Sequence, residues 1–465
     1  MFKKTHFKSL LGSILIGSLA AISTPVMATN EAMLDLLKIL RDKGSITAEE
    51  YELLQNAAKA DGEKVEGTIN EVKAEVDKKT KDMPKITTKG KLKIESADGA
   101  HSFQPIGRIF WDSMWVSDDN STAVSGGSEL RRARLGFEAQ FFKNWKAKLE
   151  YDFAGADADL KDGWISYNNK FSGGQKYDLK VGQHHVPFGF NTISSSKYMS
   201  FIRRPLFADG PLSPARQYGG AFRVDDDRWF LHTGFFLEEP EDGVVNSRDD
   251  GDDEQTFSVR IGGTPIKQDD THLVHLGGSY MYIDTKGNGK RVRQRAITHI
   301  DTDRMFDTGT LDVDEIDAFD FEALTVWGPF HALGELIWWD MDNNTAGEAE
   351  DLSAWSIETG WFLTGESMKY KKGQFSGVSP KKKFSLDGNG WGAWQLALRY
   401  ENMDLNDGTT VGGDGDVFSA GLNWIPVKNI RFMATYNKLV DFDRLGDVND
   451  GTEPSAFSIR SQVYW

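Results

Sequence analysis

From about Lys91 to its last residue the chain alternates apolar and polar side chains with a period of two, the signature of a strand whose two faces meet different media. The alternation is cleanest between Ala133 and Phe153. Ala133, Leu135, Phe137, Ala139 and Phe141 share one face, and Arg132, Arg134, Glu138 and Gln140 the other. After a turn at Lys143-Asn144, Trp145, Ala147, Leu149, Tyr151 and Phe153 alternate with Lys146, Lys148, Glu150 and Asp152. Runs of about ten residues with aromatic ends match strands that cross a bilayer at a tilt, whereas strands of soluble sandwiches are usually shorter. Similar runs recur around Tyr177–Val181, Phe257–Ile261, Trp394–Tyr400, Phe418–Trp424, Ile430–Tyr436 and Phe457–Trp465. No segment after the first thirty residues is apolar enough to cross as a helix, and a closed barrel is the other structure that satisfies its own backbone in lipid. The expected fold is all-β: a transmembrane antiparallel β-barrel of about 16 strands, preceded by a short N-terminal α-helical or coiled-coil segment.

The start of the chain fixes the compartment. Lys3, Lys4 and Lys8 precede the apolar run Leu10–Ile22, and Val26-Met27-Ala28 supplies the small residues a signal peptidase needs. The run is shorter than the ~20 residues of a membrane-spanning helix. We therefore expect a signal peptide over 1–28, a periplasmic helical or coiled-coil segment over 29–88, and a transmembrane barrel over 89–465, placed in the outer membrane of a Gram-negative bacterium. The chain has no cysteine, which excludes disulfide scaffolds and thiolate metal sites.

Within 29–88, Met33, Leu36, Leu37 and Leu40 recur at helical spacing and Gly44 supplies a stop. Thr47 with Glu50 forms a capping box for a second helix carrying Tyr51, Leu53 and Leu54. After Gly62, Val65, Ile69, Val72 and Val76 are spaced 4, 3 and 4 apart, a short heptad-like seam. It suits either a coiled coil joining protomers or a solvated spacer.

Short turns such as Lys428-Asn429 alternate with long polar stretches over Asp242–Glu254, Thr285–Asp317, Met341–Asp351 and Asn402–Asp416, the expected asymmetry between the two rims of a barrel. The acidic excess, net −16, concentrates in these loops, including Asp225-Asp226-Asp227, Asp249-Asp250, Asp252-Asp253-Glu254 and the acids from Asp301 to Asp320. None has the ligand spacing of a calcium loop. If the apolar faces meet lipid, the opposite face exposes Arg132, Arg134, Lys146, Lys148, Lys180, Arg223, Arg260, Arg399, Arg431 and Arg460, together with Glu138, Glu150, Asp152, Asp178, Glu322 and Glu401. Such a basic majority either selects anions by local field or holds the wall together as ion pairs.

One stretch favours the first reading. Asn191–Gly219 carries three prolines, several hydroxyls and the bases Lys197, Arg203, Arg204 and Arg216, with Asp209 its one acid. A proline-stiffened loop of this kind can fold inward and narrow the pore. Guanidinium forks beside Ser195 and Ser196 suit tetrahedral oxyanions, because each donates several charge-assisted hydrogen bonds.

The order VGQHHVPFGF, SSSKYMSFIRRP and PARQYGG over Lys180–Gly219 resembles the phosphate- and polyphosphate-selective porins, the porin O and P family. RRARLGFEAQFFKNWKAKLEYDFAGA (Arg131–Ala156), WFLTGESMKY (Trp361–Tyr370), WGAWQLALRYENMDL (Trp391–Leu405) and GLNWIPVKNIRFMATY (Gly421–Tyr436) share the resemblance. It implies a trimer of 16-stranded barrels, each pinched by an inward loop and lined by an arginine ladder and a lysine cluster. By motif the pinching loop is Asn191–Gly219, with Ser195, Ser196, Lys197, Arg203 and Arg204 as ligand candidates. Arg203 stands where the family pattern has an acid, which favours anions further. His184-His185 replaces an apolar–basic pair and reads as strand-exit packing.

The leading expectation is passive diffusion of inorganic phosphate or polyphosphate; the alternative is a general or sugar-accepting porin. No G-x-S-x-G elbow or H-E-x-x-H helix appears, so neither a catalytic centre nor a metal or cofactor is expected. The expected partners are outer-membrane lipid and lipopolysaccharide, two further copies of the chain, the solute, and the cell wall or periplasm through the N-terminal helices. Nucleic acid is not among them.

Overall fold

The computed structural model describes residues 32–88, 90–117, 124–208, 210–237, 254–301 and 303–465. The segment expected to be a signal peptide, Asp209 and most of Asp242–Glu254 lie outside the described residues. The chain divides into a helical unit and a barrel unit, the latter comprising Ile86–Ile94 and His101–Trp465.

In the helical unit, residues 32–42 form a helix that ends at Gly44 in the left-handed region (φ 71°), where the Ser45 amide returns to the Leu40 carbonyl. Helix α1 (Ala48–Thr80) then starts at Thr47 with both halves of the capping box in place. Met33 and Leu37 face Leu54, Ala57 and Ala58 across the hairpin, and the Arg41 guanidinium sits 4.6 Å over the Tyr51 ring. The segment after Gly62 is no separate helix: α1 continues unbroken through Gly62 and Gly67. Leu53 and Val72 remain exposed.

In the barrel unit sixteen antiparallel strands close on themselves. They are β1 (Ser102–Ser117), β2 (Gly127–Phe141), β3 (Trp145–Asp152), β4 (Asp159–Lys170), β5 (Lys176–His185), β6 (Arg216–Asp225), β7 (Trp229–Leu237) and β8 (Gln255–Asp269). The second half comprises β9 (His272–Asp284), β10 (Val313–Trp327), β11 (Phe330–Asn343), β12 (Asp351–Phe362), β13 (Ala393–Asp407), β14 (Thr410–Val427), β15 (Ile430–Asp443) and β16 (Ser455–Tyr464). β16 pairs with β1 from Ser455↔Ser117 to Tyr464↔Arg108, so the sheet has no free edge. Outward aromatics form two girdles. Phe330–Trp361 and Trp394–Trp424–Phe432 pack together on the short-turn rim, and Trp115–Phe457, Phe319–Trp338 and Trp355–Tyr400 on the long-loop rim.

Three features depart from the sequence reading. First, the stretch Asn402–Asp416 is no loop: β13 and β14 run through it as a hairpin turning at residues 408–409. Its acids join an outward band beyond the girdle, in which carboxylates face one another across strands: Asp284↔Glu315, Asp317↔Asp340, Asp340↔Asp351, Asp404↔Asp414 and Asp416↔Asp441. Much of the negative charge thus lies on the outer wall rather than in the lumen.

Second, the inward residues alternating with that band are apolar. Ile316, Ala318, Ile337, Trp339, Met403, Leu405, Val417 and Phe442 pack with Phe188, Leu206, Phe207, Leu212, Ile297 and Phe306 from the loops into one core inside the barrel. The long-loop ends of β9–β15 are therefore filled on their inner side, and the cavity lies against β1–β6 and β16.

Third, one long connection leaves the short-turn rim. Residues 363–392, between β12 and β13, turn into the barrel, where Lys369–Tyr370 and Phe375–Ser376 pair. Met368, Phe375 and Val378 pack with Phe190, Leu333 and Ile425. Arg260 Nη2 donates to the Gly373 carbonyl at 2.7 Å, and Arg223 Nη2 to that of Lys372 at 3.1 Å.

Candidate anion-binding vestibule

The inward segment begins earlier than its sequence suggested, at Val186, and ends at Ala215; Arg216–Gly219 already belong to β6. It is tied to the wall along its length. Ser258 Oγ holds the Pro187 carbonyl at 2.8 Å, Trp339 Nε1 the Leu212 carbonyl at 3.0 Å, and Asn423 Nδ2 the Ser200 carbonyl at 2.8 Å. The Glu335 carboxylate accepts the Phe190 amide at 2.7 Å, and the Asn191 amide and side chain at 3.1 and 2.6 Å. Such networks remove the freedom that makes most loops mobile.

Beside this segment lies a cavity of about 830 Å³. Its lining contains eleven arginines and Lys161, against four carboxylates: Asp112, Glu129, Asp152 and Asp159. Arg131, Arg132 and Arg134 come from β2 and Arg460 from β16; Arg203, Arg204 and Arg216 come from the inward segment and the start of β6. The remaining four, Arg291, Arg293, Arg295 and Arg304, come from the connection between β9 and β10, where Lys290–Gln294 pairs with Phe306–Leu311. That connection reads as acidic and polar in the sequence, yet every second residue from Arg291 to Arg295 is an arginine. On an extended ribbon that spacing puts three guanidinium groups on one face. This was the available signal.

The individual arginines are not equivalent. Arg134 and Arg460 are held by Asp152 (2.8 Å) and Asp112 (2.6 Å). Arg203 reaches Glu401 at 2.7 Å and Arg204 donates to the Asn191 and Ser194 carbonyls at 2.9 and 2.7 Å, so both hold the segment's shape as well as edging the cavity. Burial pulls the Arg203 guanidinium down to about 10, with Glu401 opposing the shift. Arg291 pairs with Asp307, whose carboxyl that contact holds below its usual value. The Arg293 side chain lines the cavity and has no ion pair or hydrogen bond among the described residues.

Towards the short-turn rim, Arg108 Nη1 lies 3.3 Å from Ser196 Oγ and its Nη2 2.9 Å from Glu150. Lys148 bridges Glu150 and Asp162 at 3.4 and 3.0 Å, and Arg216 meets Asp162 at 3.4 Å. Lys197 sits 5.5 Å from the Tyr198 and Tyr464 ring centres, and burial, then the neighbouring Arg108, pulls its ammonium down to about 8. Lys180 lies over the Trp164 ring. Bases and acids therefore interleave along β1–β6, and several of the bases there are held as ion pairs in the wall.

Nine expected ligands do not line the cavity, Lys148, Lys180 and Lys197 among them. Arg260 is fully buried and bidentate to Glu322, Arg399 is buried against Glu401 and the Phe201 ring, and Arg431 is buried beside Gln395. Arg223 is half-buried beside Asp225 and under the inturned 363–392 segment. They face inward as alternation requires, but chain turned into the barrel covers three of them: the 363–392 connection lies on Arg223 and Arg260, and the inward segment on Arg399. Lys146 faces Asn168 near the short-turn rim, away from the cavity. Ser195 precedes Ser196 in the segment and does not line the cavity either; the Tyr198 amide donates to its carbonyl. His184 and His185 end β5, and His184 packs edge-on to Phe236.

The sequence profile described as phosphate-selective porin O and P matches residues 103–465. The chain belongs to that family. Its fold is that of an outer-membrane porin. A Caulobacter vibrioides protein of uncharacterized function is 31% identical over 377 residues, covering 79% of this chain and 73% of that one. Among solved structures, the trimer form of Vibrio cholerae OmpT, an outer membrane protein folded in vitro, superposes with a TM-score of 0.51 at 15% identity, over 79% of this chain and 100% of that one. OmpT expressed in the outer membrane gives 0.50 at 15% identity, over 79% and 98%. These likenesses concern the barrel alone.

Proposed function

We propose that this porin O and P family member is a passive, anion-selective channel for inorganic phosphate or polyphosphate. The observation that carries the reading is the vestibule, where eleven arginines line about 830 Å³ inside a protein of net charge −16. Low-dielectric walls focus the field of such a cluster, so the local sign rather than the total charge decides which ions concentrate there. Guanidinium groups spaced along the path pair with phosphate oxygens through two parallel hydrogen bonds. Several weak sites in series let an anion enter and leave, whereas one strong site would hold it. A general or sugar-accepting pore is the weaker alternative, since sugars pack their apolar faces on aromatic rings and the described cavity lining holds no Phe, Tyr or Trp.

We further propose that residues 1–28 direct export, that three copies assemble through their barrel walls, and that the exposed apolar positions of α1 serve contacts between protomers or with the periplasm. The test of the solute is chloride current through single channels as inorganic phosphate is added. A concentration-dependent block that weakens in Arg293→Ala supports the reading, and unblocked current leaves a general porin.

A further inference from the structure

We propose that Asp320 and Glu335, behind the root of the inward segment, hold a divalent cation of the calcium class. The two carboxylates stand on neighbouring strands β10 and β11 and face inward, only 1% and 3% exposed. Their neighbour Glu322 is already neutralised, since Arg260 donates to it at 2.6 and 3.2 Å and His275 Nε2 lies 2.8 Å away. Among the described residues neither of the other two has an ion pair of its own, although they lie against each other and Arg260 is near Asp320. Glu335 receives neutral amides from Phe190 and Asn191, and Asp320 Oδ2 receives the Ser279 hydroxyl at 3.0 Å. Asp320 Oδ1 is buried with no hydrogen-bond partner. Two adjacent buried carboxylates that share no direct ion pair are costly, and one remedy is a counter-charge between them.

The space beside them has the right donors. The ligand oxygens of Asp320, Glu322 and Glu335 all lie within 4.8 Å of one another, which fits carboxylates on one cation at ~2.3–2.6 Å. Gly189 (φ 70°) brings the inward segment against these carboxylates with no side chain between. A Cβ at that position would lie 2.7 Å from Glu335 Oε1, 3.4 Å from Ser213 Oγ and 3.8 Å from Asp320 Oδ1, so three oxygens gather beside Gly189, and only a glycine leaves them the room. The donor set is all oxygen, the preference of hard cations, with water completing the shell. Ser213 and Gly189 belong to the inward segment while the carboxylates belong to the wall, so the cation fastens one to the other and sets the width of the pore. The inference holds whichever solute the vestibule selects.

The test uses the full chain in detergent, stripped with chelator and titrated with Mn2+, with bound and free metal separated by electron paramagnetic resonance and Ca2+ as competitor. Acids on the outer wall give a background, so the reading is the difference between native protein and Asp320→Asn. We expect one Mn2+ per chain to disappear in that variant. Ser213→Ala, which leaves both carboxylates in place, weakens the same site by about tenfold. If Asp320→Asn does not fold, the Ser213→Ala comparison decides alone. Equal Mn2+ uptake by native and variant proteins overturns the proposal and leaves a shared proton between the two carboxylates.

Discussion

Replacing Glu401 with Gln should free the inward segment without opening the barrel. Glu401 is fully buried on β13 and receives Arg203 at 2.7 and 3.2 Å, the Leu206 amide at 2.7 Å and Arg399 Nε at 3.0 Å. Glutamine keeps the shape but removes the charge from beneath two guanidinium groups. Deleting one partner of a buried pair costs ~3–5 kcal/mol, and because Arg203 edges the cavity the lower figure applies. The loss falls on the segment around Arg203–Leu206, since the strand ladder around Glu401 is untouched. At ~1.4 kcal/mol per decade, ~3 kcal/mol raises the population of the released segment about a hundredfold. In single-channel records this appears as a noisy open state with excursions to higher conductance, while the temperature at which the barrel unfolds on gels stays put. A Glu401→Gln channel as quiet as the native one would refute the claim that this carboxylate pins the constriction.

Three further outcomes are expected. Lys197 loses its charge near pH 8, so anion preference measured with a strong-acid anion should fall as pH rises through that value. It should stay flat in Lys197→Arg, whose charge persists. Arg293→Glu reverses one uncommitted vestibule charge and should lower anion preference most at low ionic strength, where the Debye length is long. A preference unchanged from 0.01 M to 1 M salt would remove Arg293 from the path. Shortening residues 368–378 to a Gly-Ser link should raise conductance, because it withdraws the chain that Arg223 and Arg260 hold inside the short-turn rim; equal conductance would mean that the segment fills space off the path.

What the sequence disclosed follows from which media the strands separate. β2 and β3 stand between lipid and polar lumen, so their alternation is complete and their faces were assigned correctly. The same rule misled at the long-loop ends of β9–β15, where acids point outward and apolar residues inward onto loops. A run such as Asn402–Asp416 then looks like a solvated loop, although it is paired strand. The inward course of 186–215 was legible from its prolines and bases. That of 363–392 was not, since GESMKYKKG carries no mark that separates an inturned hairpin from an outer turn. Charge type was legible and partnership was not. Arg260 meets Glu322 across strand pairings that the linear sequence does not show, Arg399 meets Glu401 two residues along its own strand, and the bases at Arg291–Arg295 lie in a connection whose later half is acidic. Asp320 was counted with the loop acids, yet it lies inside β10 against Glu335.

The vestibule's selectivity is tested most directly by the zero-current potential of the purified protein in a planar bilayer under a potassium chloride gradient. A potential of the sign set by chloride, collapsing as inorganic phosphate is added, is the expected result. A potential near zero, or one set by potassium, would mean that the outer acidic band and not the eleven arginines governs which ions enter.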